Sequence, residues 1–237
     1  MLREVKVGES SRLLTLLTER HGIITVHSRG SLNPRNKLFS ASALFCYSEW
    51  VLREGRKYYW ADEATPIEVF FGLRQDLTAL SLATYMAELL MILQPTGAEG
   101  ERLLTLALRG FWLLAENKRP PGLIKTGFEM RALAESGFLP GLLACENCGK
   151  YEDETVFFDV KMGLFYCQDC SPQTGNLSLS MLTAMRHIAL SDIDKVYDFT
   201  LKDEALAHLG RVVEQYLLFH LDRSPRSLAF LKSNMNE

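Results

Sequence analysis

Along the first sixty residues the apolar positions alternate or run in short blocks. "LREVKV" alternates, "SRLLTLLTE" is a mixed apolar run, and "GIITVHSRG" is rich in β-branched residues between Gly22 and Gly30. Each reads as a strand. "LFSASALFCYSEWVL" is a longer run read the same way, and "RKYYWADEA" resumes after a turn at residues 53–56, which predicts a hairpin. Short strands with glycine turns and few helical periods indicate a small closed or partly open barrel.

The pattern changes at Thr65-Pro66-Ile67-Glu68, which reads as a capping box with proline at the first helical position. "VFFGLRQDLTALSLATYMAELLMIL", "ERLLTLALRGFWLLAENK" and "LIKTGFEMRALAESG" follow with apolar residues at three- and four-residue spacing, which predicts helices. Pro95-Thr96-Gly97 and Pro120-Pro121-Gly122 separate them, and Gly137 reads as a left-handed stop. Further on, "LTAMRHIAL" and residues 201–221 have the same periodicity, with Thr200 as the expected cap of the latter. The fold class expected is α+β: an N-terminal OB-type β-barrel followed by an all-helical domain with an inserted four-cysteine zinc module. The expected divisions are 1–64 for the barrel, 65–144 and 176–237 for the helical domain, and 145–175 for the module.

The module is read from Cys145-x-x-Cys148 and Cys167-x-x-Cys170, with 18 residues between the pairs. Two such knuckles bring four thiolates to one ion, and the gap suits Zn²⁺; a redox dithiol or a vestigial site is the alternative. Four sulfurs close the coordination shell and leave no position for water or substrate, so the expected metal is structural. Residues 145–170 carry six acids and two lysines, so this segment repels phosphate. Cys46, alone in an apolar run, reads as packing.

No apolar run is long enough for a membrane span, and the N-terminus lacks the apolar stretch of a secretory signal, which points to the cytosol. No Walker A loop, GxGxxG, HExxH or GxSxG is present, and the five histidines lack ligand spacing. The expectation is that the chain is not an enzyme.

The net charge of −3 divides unevenly. Residues 1–60 hold ten Lys/Arg against five Asp/Glu, whereas residues 61–237 hold sixteen against twenty-four. Such asymmetry indicates that one part meets an anion, although a chance surface excess gives the same count. In "HSRGSLNPRNKLF", Arg29, Arg35 and Lys37 lie on a Gly/Pro/Asn-rich connection; Arg53, Arg56 and Lys57 lie on the hairpin. These six are the candidate DNA-binding residues, since a basic loop can follow a phosphate chain without reading its sequence. Phe39, Tyr47, Trp50, Tyr58, Tyr59 and Trp60 offer ring faces for bases, with about half expected in the barrel interior. Arg223 and Arg226, with Lys232, form a secondary candidate patch equally explained as helix-end charge. Lys125 and Arg131 are candidate partner-binding residues, as the basic rim of an apolar groove on an exposed helix face.

At this point the chain resembles a family, the bacterial recombination mediator RecO. The likeness lies in "GESSRLLTLLTERHGIITVHSRG" (8–30), "FEMRALAESGFLPGLLACENCGK" (128–150) and "RSPRSLAFL" (223–231), in matching order. It departs in beginning its first strand at once with Met1, where family members have several residues ahead. The resemblance implies an OB fold, a helical domain and a four-cysteine zinc module. It further implies binding of single- and double-stranded DNA, annealing of complementary strands, and partnership with RecR. RecA loading onto DNA covered by single-strand-binding protein follows from the same likeness. Two alternatives remain at this level. One is a helical adaptor that takes the acidic, apolar tail of a single-strand-binding protein without touching DNA. The other is a zinc-ribbon transcription factor, which the acidity of the cysteine segment disfavours.

Overall fold

A computed structural model describes residues 1–171, 173–221 and 223–235. In chain order the elements are β1 (Arg3–Val7), β2 (Ser11–Thr18), β3 (Gly22–Ser28), the single turn α1 (Leu38–Ala41), β4 (Tyr47–Arg53) and β5 (Tyr59–Glu68). The helices α2 (Leu77–Leu93), α3 (Gly97–Ala115) and α4 (Pro121–Glu135) follow. Next come β6 (Thr155–Asp159), β7 (Leu164–Cys167), the short β8 (Leu177–Ser178), α5 (Leu179–Leu190), α6 (Asp203–His220) and α7 (Ser227–Met235). Backbone contacts divide the chain into two compact units, Met1–Glu116 with Pro225–Glu237, and Asn117–Ser224.

In the first unit the strands form one sheet in the order β1-β2-β3-β5-β4, with β3 and β5 parallel and the other pairs antiparallel. This is the strand order of an OB-type sheet, and the α+β class read from the sequence stands. The sheet is not closed by a ladder from β1 to β4. Two backbone bonds bridge the opening instead: the Phe45 N–H donates to the Met1 carbonyl and the Met1 ammonium donates to the Cys46 carbonyl, both at 3.0 Å. Strand alternation turns Leu14, Leu16, Ile24 and Val26 inward, where Trp50, Leu52, Tyr59 and Ala61 pack on them.

Three local expectations are corrected here. Thr65-Pro66-Ile67-Glu68 caps no helix; it is the end of β5, with Thr65 opposite Glu49 and Pro66 opposite Ser48. Proline is tolerated because β5 pairs with β3 only at Tyr59 and Trp60, so no ladder bond is lost on that side, and a register shift lies beside it. The helix starts instead at Asp76, whose carboxylate accepts from the Ala79 N–H at 2.7 Å. The run from Leu38 to Leu52 is not one strand: α1 opens it, and Phe45 takes a left-handed φ of 64° while its ring packs on Phe111. Thr200 caps nothing, because α6 begins at Asp203 with Asp203 and Glu204 facing its N-terminal dipole.

α7 returns to the first unit and lies along α2. The Glu88 carboxylate of α2 accepts from the backbone N–H groups of Arg226 and Ser227, acting as a cap supplied from a neighbouring helix. Burial would raise that carboxyl, but the donors from Ser227 and Arg226 outweigh it and hold it below the usual range.

The second unit has a helical core in which α4 packs chiefly on α6. Residues 123–133 are buried without a break. The cysteine segment carries its own three-stranded sheet, β7-β6-β8. Among the described residues no helix is long and apolar enough to cross a membrane.

Candidate nucleic-acid interface and metal centre

Each cysteine knuckle is a tight turn held by its own backbone. The Gly149 N–H reaches the Cys145 carbonyl at 2.9 Å, and those of Cys170 and Ser171 reach the Cys167 carbonyl at 3.1 and 3.0 Å. Gly149 turns with φ 73°, which a side chain would resist. The hairpin β6–β7, expected from "TVFFDV" and "GLFYC", delivers the second knuckle, with Cys167 opposite Val156. All four sulfurs then lie within 4.8 Å of one another, with Cys148 and Cys167 3.6 Å apart. A tetrahedral Zn–S₄ shell with bonds of about 2.3 Å needs sulfurs about 3.8 Å apart, so the donor set fits a metal ion.

The thiols themselves ask for a cation. Burial pushes the Cys145 thiol up, but N–H groups of Cys167, Cys148 and Asn147 directed at its sulfur bring it down to about 6. Cys170, sharing protons with Cys148 and Cys167, is pushed up to about 12. Four thiolates this close repel one another, and a divalent ion is what neutralises such a set. Outside the shell, the Asp153 carboxylate accepts from the Gln168 N–H at 3.0 Å and from Lys150 at 3.1 Å, fixing the second knuckle.

The buried Arg186 of α5 ties this module to its helices. Its guanidinium donates to the carbonyls of Leu142 and Leu143, at 2.7 and 3.2 Å, and to that of Tyr151, whose ring lies 4.0 Å away. Nothing read from the sequence distinguished Arg186 from a surface arginine.

Lys125 and Arg131 do not form an exposed rim. Lys125 is 3% exposed and sits between Glu129, at 3.1 Å, and Glu214, at 2.9 Å. Burial lowers its pKa, but the two carboxylates more than offset this and raise it overall. Arg131 is 8% exposed and holds Glu135 at 2.7 Å, together with the carbonyls of Ile188, Ala189 and Ser191. Their donors are spent inside the helical core, and this correction removes the receptor they were expected to form.

The six candidate cations of the sheet lie at the surface. Of the six, cross-strand register places Arg53 in a row that runs across the sheet. Val5, Leu13, His27, Trp60 and Arg53 are successive partners across all five strands and share the outer face, opposite the inward Val26, Tyr59 and Leu52. The Arg29 guanidinium lies 5.2 Å above the Trp60 ring, and His27 stands 4.6 Å from it. Lys37 pairs with Glu63 at 3.1 Å, and Arg53 with Asp62 at 3.2 Å. Both pairs are exposed and therefore weak and screened. Arg29, Arg35, Arg56 and Lys57 make no ion pair among the described residues; Lys57 lies over the Tyr58 ring.

Of the candidate rings, Trp50 and Tyr59 are interior and Trp60 is exterior. The inner side of the sheet borders a cavity of about 810 Å³ lined by Leu16, Ile24, Trp50, Tyr59, Leu104 and Leu108. Glu19, Arg20, His21 and Glu49 also line it, so its wall is of mixed polarity. Arg223 and Arg226 belong to different units, and Arg226 stands beside the Glu88 carboxylate.

Residues 1–70 match the family model described as Recombination protein O N terminal, and residues 74–229 match Recombination protein O C terminal. The chain belongs to the RecO family. It is 28% identical over 236 residues to the "DNA repair protein RecO" of Acetivibrio thermocellus, covering 98% of this chain and 94% of that one. It is 30% identical to the proteins of that name from Symbiobacterium thermophilum and Desulforudis audaxviator, over 98% of this chain and 94% of each. The RecO resemblance read from the three sequence stretches therefore holds over nearly the whole chain, and it identifies a DNA repair protein family.

Proposed function

We propose that this RecO-family chain is a cytoplasmic recombination mediator that binds single- and double-stranded DNA and anneals complementary strands. It further assists RecA loading together with RecR on DNA covered by single-strand-binding protein. The observation that carries the reading is that Arg29, Arg35, Lys37, Arg53, Arg56 and Lys57 are all exposed, on β4 and on the connections that follow β3 and β4. The loop between the fourth and fifth strands is one that OB folds use to hold oligonucleotides. Exposed guanidinium and ammonium groups there release counterions on meeting phosphate. Holding two strands on such a surface offsets their mutual repulsion, which speeds pairing without bond chemistry or a nucleotide. The chain thus acts as a binding protein and not as an enzyme.

Cys145, Cys148, Cys167 and Cys170 would hold Zn²⁺. The ion would supply positive charge and a cross-link, with no open position for substrate. The four residues bring knuckles and hairpin together, and Arg186 anchors the result.

The test is strand annealing by the purified protein, without nucleotide, at low and high salt. Acceleration at low salt that fades at high salt is the expected result. Annealing no faster than that of the free strands at either salt would overturn the reading.

A further inference from the structure

The outer face of the sheet contains more than charge. Trp60 is the ring that strand alternation turns outward among the cations, while Trp50 and Tyr59 face the core. The hairpin closes on its edge: a Cβ on Gly55 would stand 2.7 Å from the indole Nε1, so the backbone fixes the ring plane and only glycine permits the approach. Beside it, the His27 Nδ1 is buried with no hydrogen-bond partner among the described residues. Over its face the guanidinium of the exposed Arg29 is held by a contact that solvent weakens.

We propose that Trp60 is a stacking platform for an unpaired nucleobase, and that it makes this surface favour single-stranded over duplex nucleic acid. The inference rests on the reading of the sheet as a phosphate-binding surface and adds selectivity to it. A duplex presents phosphates to Arg29, Arg53, Arg56 and Lys57 but keeps its bases inside, out of reach of a ring fixed in the sheet. A single strand presents both. Its base takes the indole face, and Arg29 exchanges that face for a neighbouring phosphate or lies over the base. Stacking is tolerant of sequence because every base has a π-face. The selectivity is therefore for strandedness and not for sequence.

The experiment compares Trp60→Ala with the wild type by fluorescence anisotropy, on an oligothymidylate and on a blunt duplex of equal phosphate number at one salt concentration. Trp60→Ala is expected to weaken oligothymidylate binding roughly tenfold and to leave duplex binding unchanged, whereas Trp60→Phe keeps most of the affinity. Trp112→Phe is the control, since Trp112 also lies beside an arginine but on α3. Equal losses on both nucleic acids, or no loss on either, overturn the proposal. Should Trp60→Ala fail to fold, indole emission decides: oligothymidylate quenches the wild type, and the quench disappears in Trp60→Phe. A quench that persists in Trp60→Phe overturns the platform. A wild-type protein that binds neither nucleic acid overturns the parent reading instead. Binding of both that ignores every Trp60 variant sinks the platform alone.

Discussion

The outer face of the N-terminal sheet and the helical core of the second unit use the same residue types for opposite ends. In the core, Lys125, Arg131 and Arg186 are buried, and their donors are taken up by carboxylates and backbone carbonyls. On the connections of the sheet, Arg29, Arg35, Arg56 and Lys57 are exposed and make no ion pair among the described residues, and the two paired cations are held by exposed acids. A cation whose desolvation has been met by internal partners has nothing left for a ligand; one still in water can trade its hydration and counterions for phosphate. Charge counts along a chain cannot separate the two cases, but partners can.

The largest effect expected from this contrast is on stability. Lys125→Ala breaks a buried ion pair to Glu129 and Glu214, and is expected to cost about 3–5 kcal/mol in chemical denaturation without changing the salt dependence of DNA binding by the folded fraction. Arg186→Ala breaks the tie between knuckles and helices and should behave alike. Zinc assay of the purified protein is expected to find one ion per chain. Chelation should lower the thermal midpoint by several degrees, as loss of about 2 kcal/mol does in a chain of this size, and Cys148→Ser should abolish the ion. Removing the Glu88 carboxylate with Glu88→Ala is expected to cost about 1 kcal/mol through the lost cap of α7. Because that carboxyl is held below its usual pKa, its contribution is complete above the unfolded-state value and fades as pH falls through the folded one. An acid titration of stability that is flatter in Glu88→Gln checks the sign. Smallest of all, Asp62→Asn and Glu63→Gln free Arg53 and Lys37, and each should tighten DNA binding by a factor of about two to five with stability unchanged.

Much of the fold was legible in the sequence, and the failures are instructive. The apolar run of β2 and the β-branched run of β3, the helix stop at Gly137 and the two knuckles are local signals, and the structure has all of them. Thr65-Pro66-Ile67-Glu68 was misread because a capping box is only four residues of chemistry, whereas pairing with Ser48 and Glu49 is decided by a strand formed elsewhere. For Lys125 and Arg131 a signal was available and overlooked: Glu129 and Glu135 each stand four residues further on, one helical turn away. Continuous burial of residues 123–133 then makes those pairs internal. The convergence of Arg29, Arg53 and Trp60 was not legible, since it depends on the parallel register of His27 with Trp60 across thirty-odd residues of chain.

The central claim is that the exposed, unpaired cations of the sheet hold the phosphate chain. Its most direct test is the slope of log affinity against log salt for a single-stranded oligonucleotide, in the wild type and in the triple variant Arg29→Ala, Arg35→Ala, Arg56→Ala. With about 0.7 counterions released per phosphate contact, the variant's slope is predicted to be shallower by about two units. An unchanged slope would contradict the account.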